Sequence, residues 1–196
     1  MIFSKPTFCL LLAICMAVLA AGIFAGAAQA QVVASAVAPG RALWVGGEYS
    51  NIHAGFPYQS SQRLWGGGAF ADYHLTGHIG IEAEARLLRF NSFFGETETN
   101  YLAGPRYLAG RWGRLQPFAQ CLAGMSKIQY PFQIGNGNYL AIAPGAGVNY
   151  RLARRLTLRG EYEYQLWPGS PGIPYEPAHQ ITPSGFHVGV AFRLLR

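Results

Sequence analysis

Charged side chains are scarce in this 196-residue chain. Asp, Glu, Lys and Arg make up 12% of it, about half of what a soluble domain carries. Acids are rarer than bases, at 9 against 15, which gives a net charge of +6. Hydrophobic residues account for 51%, and Gly, Tyr and Phe are abundant. This composition argues against an ordinary water-soluble domain.

The chain has only one long apolar run, and it lies at the N-terminus. Lys5 is the only charged residue before Arg41, residues 8–28 are almost entirely apolar, and Ala28-Gln29-Ala30 fits a small-x-small cleavage site. These features predict a cleaved secretory signal peptide over residues 1–30; the alternative is an uncleaved helical anchor. Residues 31–40 are small and neutral and are predicted to be a periplasmic lead-in, which leaves residues 41–196 as one domain.

Cysteine is also nearly absent. Of the three cysteines, Cys9 and Cys15 fall in the predicted signal peptide and only Cys121 remains. An intramolecular disulfide is therefore excluded in the mature chain. The exported protein must be stabilised by its fold or by a membrane.

Motifs for catalysis or for binding cofactors are missing. No serine lies in a Gly-x-Ser-x-Gly elbow, and no pair of histidines has metal-ligand spacing. Gly66-Gly67-Gly68 lies in a predicted strand with no helix after it, so it does not indicate a phosphate loop. We predict no enzyme, no metal site and no cofactor.

The surplus of arginine does not indicate a nucleic-acid partner. A site for single-stranded nucleic acid combines a basic groove with stacking aromatics, whereas these arginines lie in short predicted turns. Contact with phospholipid head groups, or simple solvation, accounts for them. The turn arginines are Arg111, Arg114, Arg151, Arg154 and Arg155.

The C-terminal segment alternates between apolar and polar or small residues. Phe186, Val188 and Val190 share one face with two further apolar residues, and His187 lies on the opposite face. Period-two alternation is typical of a strand. An apolar face of this kind is typical of a strand in a membrane barrel, which is apolar outside and polar inside.

The same alternation recurs along the chain and predicts an all-β fold, an eight-stranded antiparallel up-and-down transmembrane β-barrel. The predicted strands are residues 43–52, 63–74, 79–90, 98–109, 115–126, 139–150, 156–166 and 185–196. Their lengths suit tilted membrane strands. The connections alternate long and short, as expected for extracellular loops and periplasmic turns.

The polar face carries many charges. In a barrel this narrow, side chains fill the interior, so we predict a structural network of paired lumen charges; a proton path, an ion path or a catalytic acid pair is the alternative. Arg106 is expected to pair with Glu82 or Glu84, and Arg193 to lie near Glu48 and Glu161. The predicted lumen residues are Glu48, Asp72, Glu82, Glu84, Arg86, Arg106, Arg159, Glu161, Glu163 and Arg193.

Aromatic residues predict two interfacial girdles on the outer wall. The candidates are Tyr49, Tyr73, Tyr101, Tyr107, Tyr150, Tyr162, Tyr164, Trp44 and Trp65. Two features of the pattern are irregular. Pro105 and Pro144 lie inside predicted strands and should break ladder bonds or form bulges, and Phe118 and Leu122 disturb the alternation of the fifth strand.

The closing strand resembles that of the small eight-stranded outer-membrane barrels, those like the membrane domain of OmpA and the OmpX-type proteins. These families end in a polar-x-Gly-x-x-aromatic-x-hydrophobic pattern, represented here by His187, Gly189, Phe192 and Leu194. The resemblance, which covers residues 41–196, implies that the barrel-assembly machinery reads these four residues as an assembly signal. Leu195 and Arg196 then follow, where a terminal Phe is commonest.

The resemblance implies a structural or surface-interaction protein of the outer membrane, in contact with lipids and with possible surface ligands through its loops. Three alternatives remain open. They are a small ion channel or porin, a lipid-modifying outer-membrane enzyme, and a soluble lipocalin-like barrel with inverted facing.

Overall fold

The computed structural model describes residues 41–54, 62–90, 97–129, 137–170 and 182–195, all within one compact unit, Arg41–Arg196. It contains eight strands: β1 Ala42–Ala54, β2 Gln62–His74, β3 Ile79–Phe90, β4 Thr97–Leu108, β5 Leu115–Gln129, β6 Gly137–Arg151, β7 Leu156–Tyr164 and β8 Ser184–Leu195. Among the described residues, no helix has the length and apolar character needed to cross a membrane.

The strands form a closed barrel in chain order, with β8 paired to β1. All neighbouring pairs are antiparallel, as predicted. A row of paired residues that starts at Gln129 on β5 and passes through β4, β3, β2, β1, β8, β7 and β6 returns to β5 at Ala119. That displacement, from position 129 to position 119, means that the strands are strongly tilted against the barrel axis.

Side-chain facing follows the predicted alternation. On β3, Ile81 is exposed on the outer wall, and the next residue, Glu82, is completely buried in the lumen. On β7, Tyr162 is exposed between the buried Glu161 and Glu163. Polar residues thus line the interior and apolar residues cover the exterior, which excludes the inverted, lipocalin-like facing.

The two irregular features have local explanations. The β4–β5 pairing stops at Ala103↔Ala123 and resumes in the same register at Arg106↔Gln120, so it skips Pro105. The β6–β7 pairing likewise omits Pro144. Because proline has no N–H, the ladder is interrupted without a bulge.

The connections at one end of the barrel are short turns over residues 75–78, 109–114 and 152–155. In the first turn, the hydroxyl of Thr76 accepts a hydrogen bond from the N–H of Ile79 at 3.0 Å. In the second, Gly113 has a φ of 61°, which favours glycine. Residues 55–61, 91–96, 130–136 and 171–181 belong to the longer connections predicted at the other end, and they lie outside the described residues.

Candidate functional site

The inner wall of the barrel collects the acids of the chain. The sequence has nine Asp and Glu residues, and the two that lie outside the described residues are Glu96 and Glu176. The other seven are all buried: Glu48, Asp72, Glu82, Glu84, Glu98, Glu161 and Glu163. Every described carboxylate therefore faces the lumen and none is on the outer wall.

Arg86 on β3 is the centre of one group of charges. Its Nη2 donates to Oε1 and Oε2 of Glu163 at 2.7 and 2.8 Å and also to Glu84 on its own strand. Its Nε lies 3.6 Å from Glu48. All four side chains are nearly inaccessible. A buried charge is tolerated only when it is paired in this way.

Glu82 on β3 is the centre of the second group. Its Oε1 accepts a hydrogen bond from Nη2 of Arg159 at 2.6 Å, and its Oε2 accepts one from Arg106. Arg106 also lies 3.1 Å from Asp72, and Arg159 also donates to Glu161 at 2.9 Å through Nε. The predicted pairing of Arg106 with Glu82 is therefore present, whereas Glu84 pairs with Arg86.

Phe118, which disturbed the alternation of the fifth strand, belongs to this second group. It is buried on the inner wall, and the guanidinium carbons of Arg106 and Arg159 lie 3.7 and 5.1 Å from its ring centroid. A guanidinium over an aromatic face is attractive. The ring of Phe118 therefore contributes cation–π contacts to both arginines inside the lumen.

Arg193 lies elsewhere, and the prediction that it approaches Glu48 and Glu161 is wrong. Glu48 is opposite Gly189, whereas Arg193 is opposite Trp44, with its guanidinium 5.5 Å from the Trp44 ring centroid. Four residues along a strand correspond to roughly 13 Å. The pairing also shifts register between Leu43 and Trp44, at the end where Arg193 lies.

Trp44 itself was expected in the outer girdle and instead shares the inward parity of Glu48, opposite the buried Asp72. Most of the other predicted girdle residues are exposed on the outer wall. The exposed aromatics there include Tyr49, Trp65, Tyr101, Tyr107, Tyr150 and Tyr162.

The four residues of the predicted assembly signal divide between the two walls. Phe192 and Leu194 are exposed outside, while Gly189 and His187 are buried inside. A Cβ added at Gly189 would lie 2.9 Å from the carbonyl oxygen of Gly47 and 3.1 Å from Cβ of Glu48. Gly189 therefore permits close approach of β8 to β1.

His187 also belongs to the charge network, a role that the sequence analysis missed although the residue lies on the polar face. Its Nε2 lies 3.1 Å from Nη1 of Arg86, and its Nδ1 lies 2.8 Å from Oγ of Ser50. Ser50, His187 and Glu163 have the composition of a catalytic triad but not its geometry. Glu163 is 4.0 Å from His187, and Ser50 is completely buried.

Glu98 is a further buried carboxylate that the lumen prediction did not include, although it shares the inward parity of Arg106 on the same strand. Its Oε1 accepts a hydrogen bond from Nδ2 of Asn100 at 2.8 Å. Its cross-strand neighbours are Leu88 and Ile128. Asn100 Oδ1 and Ser126 Oγ, which lie opposite each other, have no hydrogen-bond partner in the described part of the chain.

An apolar cluster that includes Trp167 lies in the upper lumen, next to the long connections. This residue was predicted to be in a loop, yet it is completely buried against a cluster formed by Leu102, Leu122, Ile128, Ala141 and Ala143. Its ring stacks on Tyr139 at a centroid distance of 5.9 Å.

Hydrogen bonds connect Trp167 to the charges below it. Its Nε1 donates to Oε1 of Gln165 at 2.8 Å, and Nε2 of Gln165 donates to Oε1 of Glu163 at 2.8 Å. Trp167, which with Tyr139 we call the aromatic plug, is therefore joined to the charge network by a chain of hydrogen bonds.

The arrangement brings buried charges together inside the lumen. Arg86, Arg106 and Arg159 lie within ion-pair distance of six of the carboxylates, although Glu48 Oε1 and Asp72 Oδ1 make no hydrogen bond within the described residues. The rings of Phe70 and Phe118 lie against the arginines. The described part of the chain has no cluster of three or more His, Cys, Asp or Glu side chains that could hold a metal ion.

A closed eight-stranded barrel with apolar residues outside and charges inside defines a small transmembrane β-barrel protein. The family model of the outer membrane protein beta-barrel domain matches residues 16–193, and the chain belongs to this family. The protein is therefore an outer-membrane β-barrel.

Solved structures share this fold. Neisserial surface protein A superimposes with a TM-score of 0.64 at 10% identity, over 78% of this chain and 97% of that protein. Ail, the attachment invasion locus protein of Yersinia pestis, in complex with the heparin analogue sucrose octasulfate, gives 0.57 at 14% identity, over 79% and 99%. AlkL in lipid bilayers gives 0.50 at 12% identity, over 84% and 95%. A comparison with curated protein sequences finds no match.

Proposed function

We propose that the protein is a rigid, non-conducting outer-membrane scaffold that presents its four long connections to partners at the cell surface. The observation that carries this proposal is the filled interior. Arg86 and Arg159 join the facing strands β3 and β7 across the lumen, Arg106 on β4 pairs with Glu82 on the neighbouring β3, and Trp167 is buried in an apolar cluster above them. A barrel built this way holds the strand ends that carry the loops in fixed positions but offers no wide path for solutes.

Several parts of the proposal concern biogenesis. Residues 1–30 act as a cleaved signal peptide, residues 31–40 as a periplasmic lead-in, and residues 41–196 as the inserted domain. The barrel-assembly machinery reads the closing strand through His187, Gly189, Phe192 and Leu194. N-terminal sequencing of the protein recovered from outer membranes tests the cleavage, with Gln31 as the expected first residue.

The surface partner is expected to contact the loops. The complex of Ail with a heparin analogue makes a sulfated sugar the first ligand to test on this chain. Binding of the refolded protein to immobilised heparin should persist in its full strength when exposed turn arginines at the opposite end, Arg114 and Arg154, are changed to Gln. Residues 171–181 contain no Lys or Arg, so recognition of the sugar by this connection rests on neutral groups such as those of Tyr175 and Gln180, and binding should fall when the segment is replaced by a short Gly-Ser linker.

A channel is the second candidate function, and planar bilayers separate it from a scaffold. The refolded protein should show no discrete conductance steps. Reproducible steps from the wild-type protein would contradict the scaffold proposal.

We also infer that the barrel does not act as an enzyme. Among the described residues, the pairing of Ser50 with His187 is the one arrangement that resembles part of a catalytic site. Because Ser50 is completely buried and the imidazole contacts Arg86, no substrate reaches it. Outer-membrane lipids from cells expressing Ser50→Ala should have the same masses as those from cells expressing the wild type.

A further inference from the structure

The outer wall carries three exposed cations near the long connections, on β2, β3 and β5. Arg63, Arg89 and Lys127 all point outward, since their neighbours Leu64, Leu88 and Ile128 are buried inside. None of the three has an ion-pair or hydrogen-bond partner within the described residues. In outer-membrane barrels the ends joined by long connections face the cell exterior, so these cations lie at the outer leaflet.

The three cations are set among side chains that suit a polar head group. Arg89 lies directly between Trp65 on β2 and Thr97 on β4. Lys127 lies between Thr99 on β4 and Asn138 on β6. Tryptophan favours the membrane–water interface, and threonine and asparagine side chains can donate hydrogen bonds to an anion.

Among the described residues next to the long connections, Lys and Arg occur on the outer wall of β2, β3 and β5 only. On β1 the outward residues at that end are Asn51 and His53. On β8 and β7, Phe186 and Tyr162 pack edge to face at 4.8 Å, and Leu140 on β6 is 54% exposed. Every described carboxylate is in the lumen, so none can neutralise the cations from the outer wall. The surface formed by Arg63, Arg89 and Lys127, which we call the basic arc, therefore has a positive charge without a counterpart among the described residues.

We propose that the basic arc binds the phosphate groups of a phosphorylated glycolipid in the outer leaflet. Neighbouring strands are about 5 Å apart and residues about 3.4 Å apart along a strand. Arg89 and Lys127, two strands and two residues apart, thus have Cα atoms separated by about 10 Å across the sheet and about 7 Å along it. Flexible basic side chains at that spacing can contact two phosphates on one disaccharide head group or converge on a single phosphate. Arginine adds bidentate contacts to phosphate oxygens.

The lipid-facing direction of these side chains selects a membrane lipid over a soluble ligand. The arc lies on the outer wall, below the connections that would meet a surface partner. This inference does not depend on the scaffold proposal, since a conducting barrel would carry the same arc.

The test compares two variants that lose equal charge at opposite ends. The first is Arg63→Gln/Arg89→Gln/Lys127→Gln, and the matched control replaces three exposed turn arginines, Arg114→Gln/Arg154→Gln/Arg155→Gln. The full-length protein is refolded in neutral detergent, and its fold is verified by heat-modifiable gel migration. Binding of bisphosphorylated lipid A and of its dephosphorylated form is then measured by native mass spectrometry.

The wild type and the control should bind the phosphorylated lipid alike, and both should bind the dephosphorylated form poorly. A basic residue at an anionic membrane surface contributes about fivefold in affinity, so the arc variant should lose on the order of a hundredfold. Equal loss in both triple variants would overturn the proposal in favour of general electrostatics. Equal binding of phosphatidylglycerol, or complete competition by sucrose octasulfate, would overturn it in favour of an unselective anion surface.

The single variant Arg89→Gln decides the question if the triple variant does not refold. It should lose about fivefold in affinity for the phosphorylated lipid and nothing for the dephosphorylated one. Unchanged affinity for the phosphorylated lipid in Arg89→Gln would reject the arc as the site.

Discussion

Arg86 on β3 donates hydrogen bonds to both carboxylate oxygens of Glu163 on β7, at 2.7 and 2.8 Å, across the full width of the lumen. A second bond of opposite direction joins the same two strands, since Arg159 on β7 donates to Glu82 on β3 at 2.6 Å. The two strands stand four places apart in the closed order of eight. These reciprocal bonds therefore brace facing walls of the barrel.

Removing one brace should destabilise the barrel severely. Arg159→Met leaves Glu82 and Glu161 buried with less compensation, and breaking a buried ion pair in this way costs about 3–5 kcal/mol. The urea midpoint of unfolding in lipid vesicles should fall accordingly. The exposed turn variant Arg154→Met is the matched control and should leave the midpoint unchanged.

A double variant distinguishes two causes of the lower stability of Arg159→Met, namely uncompensated buried charge and lost packing. Adding Glu161→Gln to Arg159→Met removes one uncompensated charge and should recover part of the stability. If the double variant unfolds at a lower urea concentration than the single one, the charge explanation is wrong.

Arg193→Leu should have a small effect, because Arg193 contacts Trp44 and not the charge network. The loss of one cation–π contact corresponds to about 0.5–1 kcal/mol. The same urea titration measures it, beside Arg86→Leu, which should lose several times more. Equal losses in the two variants would place Arg193 in the network after all.

Gly104→Ala should impair assembly or strongly destabilise the barrel. A Cβ at Gly104 would lie 2.9 Å from the Cα of Leu122 on β5, so the backbones of β4 and β5 would have to separate. Gly160→Ala is the matched control, since nothing lies within 4 Å of a Cβ there. The heat-modifiable fraction of each refolded variant gives the comparison, and the prediction is wrong if Gly104→Ala refolds as fully as Gly160→Ala.

Trp167→Ala should lower stability without opening a channel. Truncation of a buried tryptophan costs about 3–5 kcal/mol, whereas the charges below the plug still fill the lumen. Planar-bilayer recordings should show no discrete steps from this variant. Trp112→Ala, at a side chain that is 73% exposed, is the control and should change neither stability nor conductance.

The sequence determines facing well because strand alternation is local. Glu82, Glu161 and Tyr162 are on the predicted walls, and the predicted interruption at Pro105 is present. The wall that a residue faces does not determine its position along the barrel axis, because the strands are tilted and the register shifts beside Trp44. For that reason Arg193 was assigned to the correct wall but to the wrong neighbours.

The plug shows a different limit of sequence reasoning. The alternation of β7 ends before Trp167, and a single tryptophan beside Pro168 is typical of a loop. Its burial depends on the space left by Ala141 and Ala143 on β6, which is a property of the assembled barrel. Nothing in the local sequence around Trp167 contains that information.

The braces between β3 and β7 also constrain the order of assembly. Arg86 and Glu163 are 77 residues apart in the chain, as are Glu82 and Arg159, so neither bond can form before β7 is in place. A sheet that entered lipid with only β1 to β6 would carry five carboxylates against two arginines along its inner surface, and this excess of buried negative charge has a high desolvation cost. The curled sheet must therefore keep that surface in contact with water until the seventh and eighth strands arrive, and insertion and closure become a single event.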